Sequence, residues 1–234
     1  MALLPRAQAH VRAIAARFLE RAAQTAENTR MTTVVPFKAR GVRAELKNAL
    51  DERAPIRIQR ERVQPGTIHG YVVGLSRDFC LVAEVGDAIR FDGYLAIAIA
   101  DISALETDPA REFVDRALAI RGEALRVPVG FVLDDWATIA RSAAAIAPLV
   151  SVNMIEDEEG EISYVGELVD ADANALVLRE IDPNAEWYPD TGAYEFEAIG
   201  SIGFGSGYLD ALWQVAGGPG GPVSPRVPAS DTVH

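Results

Sequence analysis

The sequence predicts a mainly β protein with helices, of the α+β class: two five-stranded, strongly bent units related by internal duplication, with connecting and N-terminal helices. Three observations predict it. Runs rich in Val, Ile, Phe and Tyr, broken by Gly, Asp and Ser, fill residues 55–106 and 148–203, the pattern of short antiparallel strands joined by tight turns. The two stretches also match each other: residues 70–85 lie over 166–181, Gly70 on Gly166, for sixteen residues without a gap. Self-similarity at this length marks a duplicated supersecondary unit. Helical spacings occupy the segments before and between the units.

Residues 39–53 place Val42, Leu46 and Leu50 one turn apart, with Pro55 closing a short amphipathic helix. Ile56-Arg57-Ile58-Gln59-Arg60-Glu61-Arg62 then alternates, Ile56 and Ile58 on one face and Arg57, Gln59 and Glu61 on the other, as a half-buried strand does. After the Pro65-Gly66 turn, strands are expected over 67–75, 79–85 and 89–102, with turns at Ser76-Arg77-Asp78, Gly86-Asp87 and Asp92-Gly93. The spacing of three in Ile99, Ile102 and Leu105 predicts a tight turn into a last short strand, and it recurs in Phe196, Ile199 and Ile202. Asp108 as N-cap and Pro109 at the first position open a helix whose buried stripe is Phe113, Ala117 and Leu118, stopped by Gly122. Another helix runs from Asp134 or Asp135 through Trp136, Ile139, Ala140 and Ala143 to Ala147, where Pro148 ends it. A helix over 208–216 carries Leu209, Leu212 and Trp213.

The expected division is therefore an N-terminal helical segment 1–54, a first β unit 55–106, a helical linker 107–147, a second β unit with its C-terminal helix 148–216, and a disordered Gly- and Pro-rich tail 217–234.

With 234 residues and 49% hydrophobic content, the chain can bury a substantial core. One cysteine, Cys80, lies in the apolar run Phe79-Cys80-Leu81-Val82. That excludes an intramolecular disulfide, predicts a buried thiol and points to a reducing, cytoplasmic setting. No apolar run is long enough for a membrane span; the best, 95–102, is cut by Asp101. Residues 1–30 are Ala- and Arg-rich but interrupted by Glu20 and Glu27, unlike a secretory signal. An amphipathic helix carrying Ile14, Phe18 and Ala22 is preferred there over an organellar transit peptide, and Met31-Thr-Thr-Val-Val-Pro also reads as an ordinary N-terminus. The net charge of −12 is unevenly spread. Residues 1–62 hold 13 Lys and Arg against 6 Asp and Glu, and the remainder 9 against 28. Such polarity suits an anionic partner for the basic part or self-complementary packing.

No catalytic constellation emerges. Asp170-x-Asp172-x-Asn174 starts like a calcium loop, but its sixth position is Ala175 and its twelfth Ile181, so a polar hairpin turn is expected and no metal site. Gly203-Phe-Gly205-Ser-Gly207 has the wrong spacing for a dinucleotide turn. The three histidines, His10, His69 and His234, leave no nucleophile with a positioned base. No cofactor is expected. Two surfaces remain as candidates: Arg57, Arg60 and Arg62 for a nucleic acid or other anionic partner, and Trp187-Tyr188, in the loop 182–192, for partner recognition.

The β units resemble the small barrel of the Sm-like/SH3-like class. Gly70, Ser76-Arg77-Asp78 and the ending Ile99-Ala-Asp101-Ile102-Ser-Ala-Leu105 carry the resemblance, followed by Gly166, Asp172-Ala-Asn174 and Phe196-Glu-Ala-Ile199-Gly-Ser-Ile202. Over most of 55–216 the chain is similar to uncharacterised bacterial proteins with two such barrels per chain. The resemblance implies ring formation and single-stranded RNA binding. This sequence, however, has Ser103-Ala104 and Gly200-Ser201 where the family's final strand has Arg-Gly, and it lacks the acidic-apolar-Asn turn that contacts a base. The expected function is accordingly a non-enzymatic binding or scaffold protein, acting by protein contact or self-association. RNA or single-stranded nucleic-acid binding through the basic segment 38–62 is the alternative.

Overall fold

A computed structural model of the chain describes residues 37–155 and 162–218; the helix expected within 1–30, the acidic run 156–161 and most of the tail lie outside them. The chain divides into Met1–Phe37 and Lys38–His234, and the architecture below is that of the second part. Helix α1 (Phe37–Glu52) leads into β1 (Pro55–Arg60), β2 (Gln64–Leu75), β3 (Phe79–Val85), β4 (Phe91–Ala98), a 3-10 turn (Ile99–Asp101) and β5 (Ala104–Thr107). Helices α2 (Arg111–Ile120) and α3 (Trp136–Ile146) follow. Then come β6 (Val150–Met154), β7 (Ser163–Ala171), β8 (Ala175–Ile181), β9 (Trp187–Glu195), a second 3-10 turn (Phe196–Ala198), β10 (Ile199–Phe204) and α4 (Gly207–Ala216).

The ten strands among the described residues form one antiparallel sheet in the order β5-β1-β2-β3-β4-β10-β6-β7-β8-β9, open at its two ends. The same five-strand order occurs twice, β5-β1-β2-β3-β4 and β10-β6-β7-β8-β9. The registers coincide as well. Gly70 pairs with Glu84 as Gly166 pairs with Glu180, and β2 bulges between Val72 and Gly74 as β7 does between Leu168 and Asp170. The internal repeat is thus structural, down to this bulge.

The two glycines mark where the neighbouring strand's backbone comes closest. A Cβ on Gly70 would lie 2.2 Å from the Ala83 carbonyl oxygen, and one on Gly166 2.3 Å from that of Arg179. Backbone cannot yield as a flexible side chain can, so Gly70→Ala or Gly166→Ala is expected to cost ~1–3 kcal/mol in urea denaturation. Gly41→Ala, in open space on α1, should instead stabilise by about 0.5–1 kcal/mol.

Alternation along β3 divides the core. Cys80 and Val82 pack with Val42, Leu46 and Ala49 of α1 and with Ile56 and Ile58 of β1. Leu81 and Ala83 join Ile139, Ala140 and Ala143 of α3, together with Val152, Leu178 and Ile202 of the second half. Strand β3 is therefore covered on both faces. Helix α4 closes the far side, setting Leu209 and Leu212 against Leu149 and Ile181. No helix among the described residues is long and apolar enough to cross a membrane.

Two local expectations change. Helix α2 begins at Arg111 rather than at Pro109, with Ala110 at its cap position; in the turn before it the Asp108 carboxylate accepts the Ala110 N–H at 2.8 Å and lies 3.3 Å from the Arg57 guanidinium. Its buried stripe is Val114 and Leu118, and Phe113 is 64% exposed. At α3 the cap is Asp135, whose Oδ1 accepts the Thr138 N–H at 2.7 Å. That contact holds the carboxyl below the usual range.

Candidate functional site

The three arginines of the basic segment do not share a surface. Arg57 is half-buried against Asp108, with the His69 imidazole 3.6 Å from the same carboxylate. Arg60 is 2% exposed, and its Nη1 donates to the Gly200 carbonyl at 2.6 Å. Only Arg62 is exposed. Parity carried this signal, since Arg60 stands in step with Ile56 and Ile58, the inward face of the strand.

Trp187 and Tyr188 also sit differently from expectation, on a strand and not in a loop. The Asp182 Oδ1 accepts the N–H groups of Asn184 and Glu186, folding 182–186 into a closed turn, so Trp187 is already the first residue of β9, opposite Ile181. Its indole meets Trp213 edge-on at 6.2 Å and donates Nε1–H to the Gly217 carbonyl at 3.3 Å. The Asp172 turn is an Asx turn: its carboxylate accepts the N–H groups of Asn174 and Ala175, which lowers its pKa. Cys80 is fully buried, and desolvation pushes its thiol up to about 12, the opposite of an activated nucleophile.

What the fold brings together is the seam between the halves. There β4 pairs with β10, Tyr94 opposite Phe204, Leu95 opposite Gly203, Ala96 opposite Ile202 and Ile97 opposite Ser201. Phe204 stacks between Tyr94 and Phe131, each at 5.1 Å. Across the seam the Gly207 N–H donates to Asp92 Oδ1 at 2.8 Å, and Asn153 Nδ2 donates to the buried Ser201 hydroxyl at 2.9 Å. The strand β4, paired on one side with β3, finds its second partner in the closing strand of the other half.

Beside this seam lies a cavity of about 610 Å³ lined from both halves, by Arg60, Glu84 and Asp92 on one side and Ser151, Asn153 and Phe204 on the other. Burial pushes Glu84 up to about 7; Asp92 adds to the effect and Arg60 opposes it. Asp101 is likewise raised by burial and relieved by Arg60. The loop beside the cavity holds Ile89 at a φ of +50°, an uncommon conformation for a β-branched residue. Sequence analysis did not single out Glu84, although it continues the inward parity of Cys80 and Val82. No protein-family model, curated protein or solved structure matches this chain.

Proposed function

We propose that this chain is a non-enzymatic scaffold of two Sm-like, SH3-like halves that associates with further copies of itself through its end strands. One observation carries the proposal: the β4·β10 seam joins a fourth strand to a closing strand. By the repeat, β9 is the counterpart of β4 and β5 the counterpart of β10. These are the two strands that end the sheet, and an edge strand offers unpaired N–H and C=O groups to a partner. Carried over residue by residue, the seam sets Ala104 opposite Tyr194, Leu105 opposite Ala193, Glu106 opposite Gly192 and Thr107 opposite Thr191. Pro189 falls outside this stretch, where a missing N–H does no harm. Because the two edges differ, the contact is heterologous, and its repetition closes a ring or extends a filament. The burial of Arg60 and the engagement of Arg57 by Asp108 weigh against the nucleic-acid alternative.

Thr107 and Thr191 are both exposed, so charges there leave the fold alone. Light scattering of the full chain at micromolar concentration should show a species heavier than a monomer. Thr107→Lys with Thr191→Lys, opposing like charges, should weaken association several-fold, and Thr107→Lys with Thr191→Glu should restore it. A monomer at every concentration, or an oligomer indifferent to both pairs, overturns the proposal.

A further inference from the structure

The cavity at the seam calls for a different occupant from the strand edges. Its volume falls within the range of small-molecule sites, roughly 300–1,000 Å³. Its lining is polar but unbalanced: Glu84, Asp87, Asp92 and Asp108 face it against the single guanidinium of Arg60, with His69 on the same wall. Asp108 is already engaged by Arg57, and Arg60 serves the Gly200 carbonyl and the Glu84 and Asp101 carboxyls. That leaves the negative side of the cavity in excess, against an anion as occupant.

The repeat supplies the second observation. Glu180 stands where Glu84 stands, each opposite the strand glycine of its half. The Tyr194 hydroxyl donates a hydrogen bond to Glu180, and this bond together with burial pushes the phenol pKa upward. In the first half the position matching Tyr194 is Ile97, which offers no donor. The Glu84 carboxyl accordingly has no hydrogen bond among the described residues. One copy of the repeat fills this position from within, while the other leaves a half-buried carboxyl facing a cavity. Burial disfavours the Glu84 charge, and a cationic ligand that donates to it would offset that effect.

We propose that the cavity binds a small organic cation carrying ammonium or guanidinium groups, with Glu84 as its counter-ion and Asp92 and Asp87 as further acceptors. Leu95, Ile68 and Phe204, which also line the cavity, supply an apolar wall for the methylene groups of such a molecule. A metal ion fits less well, since no cluster of three or more His, Cys, Asp or Glu among the described residues is placed to hold one. Binding requires Glu84 ionised. With a free-state pKa of about 7, set by burial, Asp92 and Arg60, affinity should rise about ten-fold between pH 6 and pH 8, with a proton released on binding near neutrality.

The test is calorimetric titration of the full chain with putrescine, spermidine and agmatine, in buffers of different ionisation enthalpy at pH 6 and pH 8. Tighter binding at pH 8 with proton release is expected for at least one of the three. Glu84→Gln should lose both the binding and the proton release. Glu180→Gln, which removes the same charge outside the cavity, should lose neither, and thermal melting of both variants checks that they are folded. Failure of all three probes to bind, binding by Glu84→Gln as tight as in the parent chain, or an equal loss in both variants overturns the proposal.

Discussion

Replacing Phe204 by alanine is expected to cost about 3–5 kcal/mol, the usual range for emptying a buried aromatic site. The ring is 1% exposed. It is stacked between Tyr94 and Phe131, while its backbone pairs with Tyr94 on one side and Val150 on the other. Three segments thus lose contacts at once, and the stacking itself adds about 0.5–1.5 kcal/mol per pair beyond area. Collapse of the surroundings is limited on the strand side by the ladder bonds. In urea the transition midpoint should fall with an unchanged slope, which would place the loss in the folded state. Phe204→Leu, closer in volume, should cost less. An alanine variant within about 1 kcal/mol of the parent would mean that the seam does not hold the halves together as described.

Replacing Arg60 by methionine is the second large effect, about 3–5 kcal/mol near neutral pH, as when one partner of a buried charged group is removed. The substitution keeps much of the side chain's bulk but leaves the Gly200 carbonyl without its 2.6 Å donor. It also leaves Glu84 and Asp101 without the cation that opposes their desolvation. Both carboxyls have folded pKa values raised above the unfolded ones, so their ionisation works against folding. For Glu84 the stability contribution is fully present below the unfolded pKa of about 4.5 and is lost as pH rises through the folded value of about 7, and Asp101 follows the same sign. Removing Arg60 moves the folded values higher still and enlarges that loss. The gap between Arg60→Met and the parent chain should therefore be larger at pH 8 than at pH 5 in paired denaturation curves. A gap independent of pH would separate the Arg60 contribution from the two carboxyls and leave only the carbonyl contact.

Local order was legible where residue type and period agree. The Asp135 cap, the Gly122 stop at a φ of +70° and the strand glycines all follow from short-range chemistry. So does the repeat, because Gly70 and Gly166 and the apolar positions around them recur at the same spacing. Helix α2 starts two residues later than Asp108-Pro109 suggests, and the ion pair that Asp108 makes with Arg57 is not local. Arg57 is 51 positions away and carries no mark in the sequence near Asp108. The seam was illegible for a similar reason: nothing in Tyr94-Leu95-Ala96-Ile97 names 201–204 as its partner, and either strand would serve equally well at the rim of a closed unit. The candidate arginines show the opposite error. Their charge suggests a surface, although Arg60 stands at an inward position by count. Glu84 went unnoticed among 34 acidic residues because what sets it apart, a missing hydroxyl on the next strand, is a property of its neighbours.

The burial of Cys80 has a practical side. It is the chain's one thiol, it is wholly enclosed between α1 and β3, and it stays protonated far above neutral pH. Maleimides and similar reagents act on the thiolate of an accessible cysteine, so they find no target in the native molecule. A cysteine introduced at Thr107 or Thr191 would then be the sole reactive position, with no background substitution required. A donor dye on one preparation and an acceptor on another would report directly on whether the two ends of the sheet meet.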